Sequence, residues 1–360
     1  MKNILLATTA LVATASTAFA AGVEVSGYAE MGIIGGDPYD NAEFHTDVDV
    51  NFSMSGEADN GLTFGASVDL DESQNANAFN NRTQGGESIF IAYGAGRLSM
   101  GDVDGAFDSA MQEAIIGSSI NDDHEHLGYN GNGGLDGAYD GQIATASYAF
   151  SGFTGYLSAE IHDGDRLTGD EGAVYDPIWG VGVKYTADLA GLALNLGLGY
   201  QAGDSDAAED AYAGADITID NNDSLSDIVG LVGAQAREDI WGISVGTTFN
   251  NGLVAILNYS AATYAESPAD ADGFTGNDET HWGIALGYSM NALTIGANYG
   301  EYQNFLGLED LTGSGWGFVA DYDMGGGLEA QFGYGSSRLE VDNGDNRTND
   351  TWSLGLAMSF

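Results

Sequence analysis

Apolar and polar residues alternate with period two along most of the chain, the pattern of strands whose two faces meet different surroundings. The last ten residues show it best: Trp352, Leu354, Leu356, Met358 and Phe360 interleave with Thr351, Ser353, Gly355, Ala357 and Ser359. Leu293, Ile295, Ala297 and Tyr299 alternate with Thr294, Gly296, Asn298 and Gly300, and Phe44 to Met54 repeat the pattern against His45, Asp47, Asp49 and Asn51. Such segments predict about 16 strands of roughly 8–13 residues. Short connections, such as Ser151-Gly152, Asn250–Gly252 and Met324–Gly327, suit the positive φ angles of tight hairpins. Long ones, at 73–86, 103–140, 163–178, 203–236, 263–279, 303–314 and 338–349, alternate with them and carry most of the acids.

Long and short connections in turn, with an even strand number, describe an up-and-down barrel crossing a membrane. A soluble barrel would turn bulky residues inward, whereas the second face here is Gly, Ser, Thr, Asn and acids. That face suits a water-filled lumen, and the apolar face then meets lipid. The aromatics agree. All five Trp (Trp179, Trp241, Trp282, Trp316, Trp352) open even-numbered strands after long loops, and Tyr200, Tyr259, Tyr299 and Tyr334 close odd-numbered ones. Phe150, Tyr185, Phe249, Tyr288, Tyr322 and Phe360 mark the other rim. Two such rings are the interfacial girdles of an outer-membrane barrel. The fold class is therefore all-β, a 16-stranded antiparallel transmembrane β-barrel.

Residues 1–20 are expected to be a signal peptide: Lys2, an uncharged apolar run to Phe19, then Ala18-Phe19-Ala20 as a small-x-small cleavage site. The barrel then occupies 21–360, exported to the outer membrane of a Gram-negative bacterium. Composition sharpens this reading. The chain carries 54 Asp+Glu against 8 Lys+Arg, no Cys and 55 Gly among 360 residues. So acidic a chain excludes nucleic acid as a partner, and the missing thiols exclude disulfides and Cys-ligated metals. With 43% hydrophobic residues it is too apolar for disorder.

The segments Phe52–Ser67 and Gly96–Asp102, the strand plan and the terminal Phe360 resemble the general bacterial porins of Rhodobacter-like alphaproteobacteria. The resemblance spans essentially the whole mature chain. It implies a homotrimer set in outer-membrane lipid and lipopolysaccharide, and passive diffusion of small hydrophilic solutes and cations. It also implies that the third long loop, 103–140, folds into the barrel as a constriction. Relatives often oppose an arginine cluster on the wall to acids on that loop. Here the comparable wall positions include Asp47, Asp49, Asp69 and Asp71, and Arg97 and Lys184 are the basic residues that alternation places inside.

The pore-lining set is accordingly Asp47, Asp49, Asp69, Asp71, Arg97 and Lys184 from strands, with Asp102, Asp104, Asp108 and Glu113 from the loop. Alternation also turns Glu30, Glu160, Asp321 and Glu329 inward. Charged rings concentrate counter-ions, so this excess of acids predicts cation selectivity. Asp122, Asp123 and Glu125, in Asn121-Asp-Asp-His-Glu-His126, form either a solvated acidic loop or a site for a structural Ca²⁺. No cofactor is required. Arg82, in the second long loop, is placed either as a bridge to a neighbouring subunit or as a solvated side chain. A substrate-selective channel would need an ordered lumen site, and inward aromatics are few. A hydrolase would need a nucleophile beside a His and an acid; no such grouping emerges, so no enzyme is expected.

Overall fold

The computed structural model describes residues 22–71, 85–139, 141–161, 175–203, 237–264, 278–341 and 346–360. The expected signal peptide and Arg82 lie outside them, as does the side chain of Asp71. Sixteen strands form one closed antiparallel barrel, each paired with its sequence neighbours. They are β1 Gly22–Gly36, β2 Glu43–Glu57, β3 Thr63–Asp71, β4 Gly85–Tyr93, β5 Gly96–Gly101, β6 Ile143–Phe150, β7 Phe153–Glu160 and β8 Ile178–Leu189. The second half comprises β9 Leu192–Ala202, β10 Arg237–Phe249, β11 Leu253–Tyr264, β12 Glu279–Met290, β13 Leu293–Gln303, β14 Leu311–Gly325, β15 Leu328–Val341 and β16 Arg347–Ser359.

Closure joins β1 to β16, with Ile33 opposite Leu354 and Tyr28 opposite Ser359, and the Phe360 amide donates to the Gly27 carbonyl at 2.9 Å. A closed barrel leaves no unpaired edge in lipid, where each orphan amide would cost several kcal/mol. Large apolar residues, among them Leu257, Leu286 and Leu354, stand exposed on the outer face. The tight turns are as expected. Ser151-Gly152 has φ of 50° and 84°, and Ala190-Gly191 has 41° and 109°, two positive values in succession as a primed hairpin turn requires. The upper girdle interlocks: Trp241 packs on Tyr259 with ring centroids 5.5 Å apart, Trp282 on Tyr299 at 5.2 Å and Trp316 on Tyr334 at 5.0 Å.

Two expectations on length change. The connections expected at 303–314 and 338–349 are shorter, because β14 begins at Leu311, β15 runs to Val341 and β16 starts at Arg347. Conversely β5 has only 6 residues and β6 has 8, whereas β14 has 15. The barrel is low on one side and tall on the other. Its buried core is also not where a lipid-facing barrel alone would put it. Phe107, Met111, Leu135, Ile178, Ile240, Tyr264, Tyr302 and Leu311 are packed in one cluster between the loop after β5 and the inner wall.

Candidate functional site

The loop from Asp102 to Gln142 enters the barrel, opening with a short helix, α1 (Ala106–Ala110). An irregular segment cannot pair its backbone as a strand does, so it must find other partners. The inner wall supplies them. On the outbound limb the amides of Ala106, Gln112 and Ser118 donate to Ser158 Oγ (2.8 Å), Ser244 Oγ (2.9 Å) and Asp321 Oδ2 (3.1 Å). The tip passes Ile120 over Gly32 of β1 and Gly355 of β16. On the return limb Asn298 Nδ2 donates to the His124 carbonyl, Leu127 N to Ser337 Oγ, and His281 Nε2 to the Gly128 carbonyl, at 2.9–3.0 Å. The loop thus runs from β7 to β16 and doubles back, laid on the wall.

Glycines make this close approach possible. A Cβ on Gly182 or Gly197 would strike the backbone of Ala106 or Ala110, and one on Gly300, Gly317 or Gly335 would strike that of Gly128, His124 or Asp123. Alternation placed these positions inward correctly, but the wall of β8–β16 meets a loop there, not water. The inward acids divide accordingly. Glu160 and Asp321 are 2% and 3% exposed, and both accept loop amides. They are structural carboxylates, not lumen charges. A third base, Arg237, also lies inside, paired through Nη2 with Glu279 at 2.9 Å while Nη1 donates to the Gly134 carbonyl at 3.0 Å.

Asp47 and Asp49 sit half-buried on β2, opposite Glu30 and Tyr28 of β1. Asp69 of β3 is opposite Asn51, and the backbone of Asp71 is opposite Asp49. Arg97 lies 3.7 Å over the Phe90 ring and donates from Nε to Ser99 Oγ at 2.9 Å. Asp102 and Asp104 are exposed where the loop leaves the wall.

Along the loop the acids lie close enough to disfavour one another's ionisation. Burial, then Asp104, Asp136 and Glu113, push the Asp108 carboxyl up to about 8, with Lys184 of β8 opposing. Burial raises Glu113 despite the hydrogen bond it accepts from Tyr129 across the two limbs. Burial with Asp122 and Glu113 raises Glu125 to about 7, and burial with Asp123 and then Asp47 raises Asp122, which His45 partly offsets. A continuous acidic seam therefore runs Asp104–Asp108–Glu113–Glu125–Asp122 and meets the wall at Asp47. Lys184 is the base set against it.

Asp122, Asp123 and Glu125 do not converge. Asp123 is buried, taking a hydrogen bond from Asn121, while Asp122 and Glu125 are partly covered by the loop and keep an edge in solvent. Among the described residues no group of three or more His, Asp or Glu is placed to hold a metal. Burial drives His124 and His126 down to about 4, so both are neutral wall contacts. Sequence reasoning missed Gln201, Arg237, Glu279 and the glycine seat. The signal for the last was present: inward glycines crowd β8–β16 and thin out before them.

Comparison with known proteins agrees with this architecture. The Gram-negative porin family matches residues 7–340. A porin of Rhodobacter capsulatus is 27% identical over 337 residues, covering 88% of this chain and 95% of the relative. A refined porin crystal structure superposes with TM-score 0.62 at 19% identity, covering 94% of this chain and 100% of that one. A Rhodopseudomonas blastica porin mutant superposes with TM-score 0.58 at 18% identity and the same coverage. With its closed barrel, inward loop and family match over nearly its full length, the chain belongs to the Gram-negative porins, outer-membrane channels for passive diffusion rather than enzymes.

Proposed function

We propose that this porin is a cation-selective, water-filled channel for small hydrophilic solutes and ions, exported through residues 1–20 and working as a homotrimer. The acidic seam carries the reading. Five loop acids and Asp47 form one edge of the passage, Asp108 and Glu125 adding their charge as pH rises through 7–8, and the loop leaves β2–β6 as the less covered arc of wall. Fixed charges in a narrow, low-dielectric constriction produce potentials of several kT. At two kT a cation is enriched about sevenfold and an anion depleted as much. Charges on the outer loops, beyond a screening length of about 8 Å, contribute little at the aperture. What supports the trimer is the low side of the barrel. Six residues of β5 at ~3.3 Å each and a tilt near 40° rise only about 15 Å, short of the ~25 Å apolar band. Neighbouring subunits covering that side would spare it an ill-matched lipid contact, and lipopolysaccharide would surround the rest.

The test is the reversal potential across a KCl gradient in planar bilayers. Cation preference is expected, reduced in the double variant Asp47→Asn/Asp49→Asn. Anion preference in the unmodified protein would refute the assignment.

A further inference from the structure

Glu160 ends β7 on the inward side, where alternation makes it one more acid for the passage. Both its oxygens are occupied by the end of the inserted loop. Oε2 accepts from Gly137 N at 3.0 Å, and Oε1 accepts from Tyr139 N at 3.2 Å and Gly141 N at 2.9 Å. Three alternate amides converge because Gly137 and Gly141 adopt φ of 74° and 79°, which turn the backbone around the carboxylate. Just before them, Asp136 ties the loop's two ends together by accepting from Gly105 N at 2.7 Å. Gln201 braces that contact, donating to Asp136 Oδ1 at 2.6 Å and accepting from Leu135 N at 2.8 Å.

We propose that Glu160 is a positioning residue for permeation: its carboxylate fastens the end of the inserted loop to the wall and so sets the width of the aperture, not its charge preference. The inference rests on the channel reading above. Upstream of this fastening the return limb carries Tyr129, whose hydroxyl bridges to Glu113 on the seam, so a shift at the loop end moves the aperture's edge. Ionisation matters because a charged acceptor binds amides more strongly than a neutral one. Glutamine keeps the volume and one acceptor but turns an NH₂ toward one of the donating amides. Aspartate keeps the charge and falls one methylene short of the three donors.

The two roles predict opposite results. A selectivity acid replaced by Gln would lose cation preference and leave the solute cutoff alone. A fastening replaced by Gln would widen the passage. Unmodified protein, Glu160→Gln and Glu160→Asp should be compared by single-channel conductance and by liposome swelling with sugars of increasing size, folding being checked by heat-modifiable migration. Both variants are expected to raise conductance roughly 1.5-fold or more and to admit larger sugars. Widening in Glu160→Asp, which keeps the charge, separates position from charge even where Glu160→Gln fails to fold. Unchanged conductance and cutoff, or lost cation preference at constant cutoff, would overturn the inference. A silent unmodified protein would instead overturn the channel reading itself.

Discussion

Replacing Gly300 by alanine tests whether the wall glycines are a seat for the loop. Gly300 lies on β13 under the return limb. An added methyl would overlap the Gly128 carbonyl oxygen and stand 2.9 Å from its carbon and 3.1 Å from His281 Nε2. Carbon atoms rest at about 3.5–4.0 Å, so the limb must lift by about 1 Å. That lift stretches the 2.9 Å hydrogen bond from His281 to Gly128, and both partners are buried. Overpacking of this kind costs about 1–3 kcal/mol, and an orphaned buried polar group adds about 1–3. The displaced residue is followed directly by Tyr129, so the seam is pushed toward the open arc and the aperture narrows. Single-channel conductance should fall, while the barrel, whose ladder bonds are untouched, stays folded and heat-modifiable. Gly155→Ala is the matched control, because a Cβ there meets nothing within 4 Å. Conductance equal to the unmodified protein in Gly300→Ala, with the barrel intact, would refute the seat.

Selectivity should depend on pH. Asp108 is raised to about 8 and Glu125 to about 7, chiefly by burial and neighbouring acids, so both gain charge as pH rises from 6 to 9. Cation preference is expected to grow over that window, and Asp108→Asn should remove its alkaline part; a flat reversal potential would count against the seam. The stability sign follows from the same raised values: the native loop binds more protons than the unfolded chain, so the loop's stability is full below about pH 4, declines above it, and this contribution is lost once pH has risen through 7–8. Arg237→Ala should destabilise the barrel mouth by about 3–5 kcal/mol, because it leaves Glu279, 4% exposed, as an unpaired buried charge. A thermal transition unchanged in that variant would show the pair to be solvated.

The strand plan was legible because lipid imposes a large apolar residue at every second outward position, and tight turns demand residues that tolerate positive φ. Leu293 to Gly300 declare their two sides unambiguously. What alternation does not declare is the occupant of the inner side. Glu160 and Asp321 read as wet lumen groups, yet each accepts a loop amide. The loop itself has no period, and its partners lie far away in the chain: Leu127 bonds Ser337, 210 positions on, and Ser118 bonds Asp321, 203 positions on. Sequence alone also overstates the acids' share in the passage, since Asp123 accepts from Asn121 and Asp136 accepts from Gly105 and Gln201. The strand ends at β14–β16 were misjudged because Gly, Ser and Asn in a tall rim resemble loop residues.

Those separations have a consequence for biogenesis. The loop's seat is built mainly from β8 to β16, strands that follow it in the chain, and its tip rests on Gly32 and Gly355, which flank the closing seam. Long-range contacts can reward the chain only after the intervening loop entropy has been overcome. The inserted segment therefore has nowhere to settle until the last strands have been laid down and β16 has met β1. A half-assembled barrel is an open one, and the constriction is the final element to form.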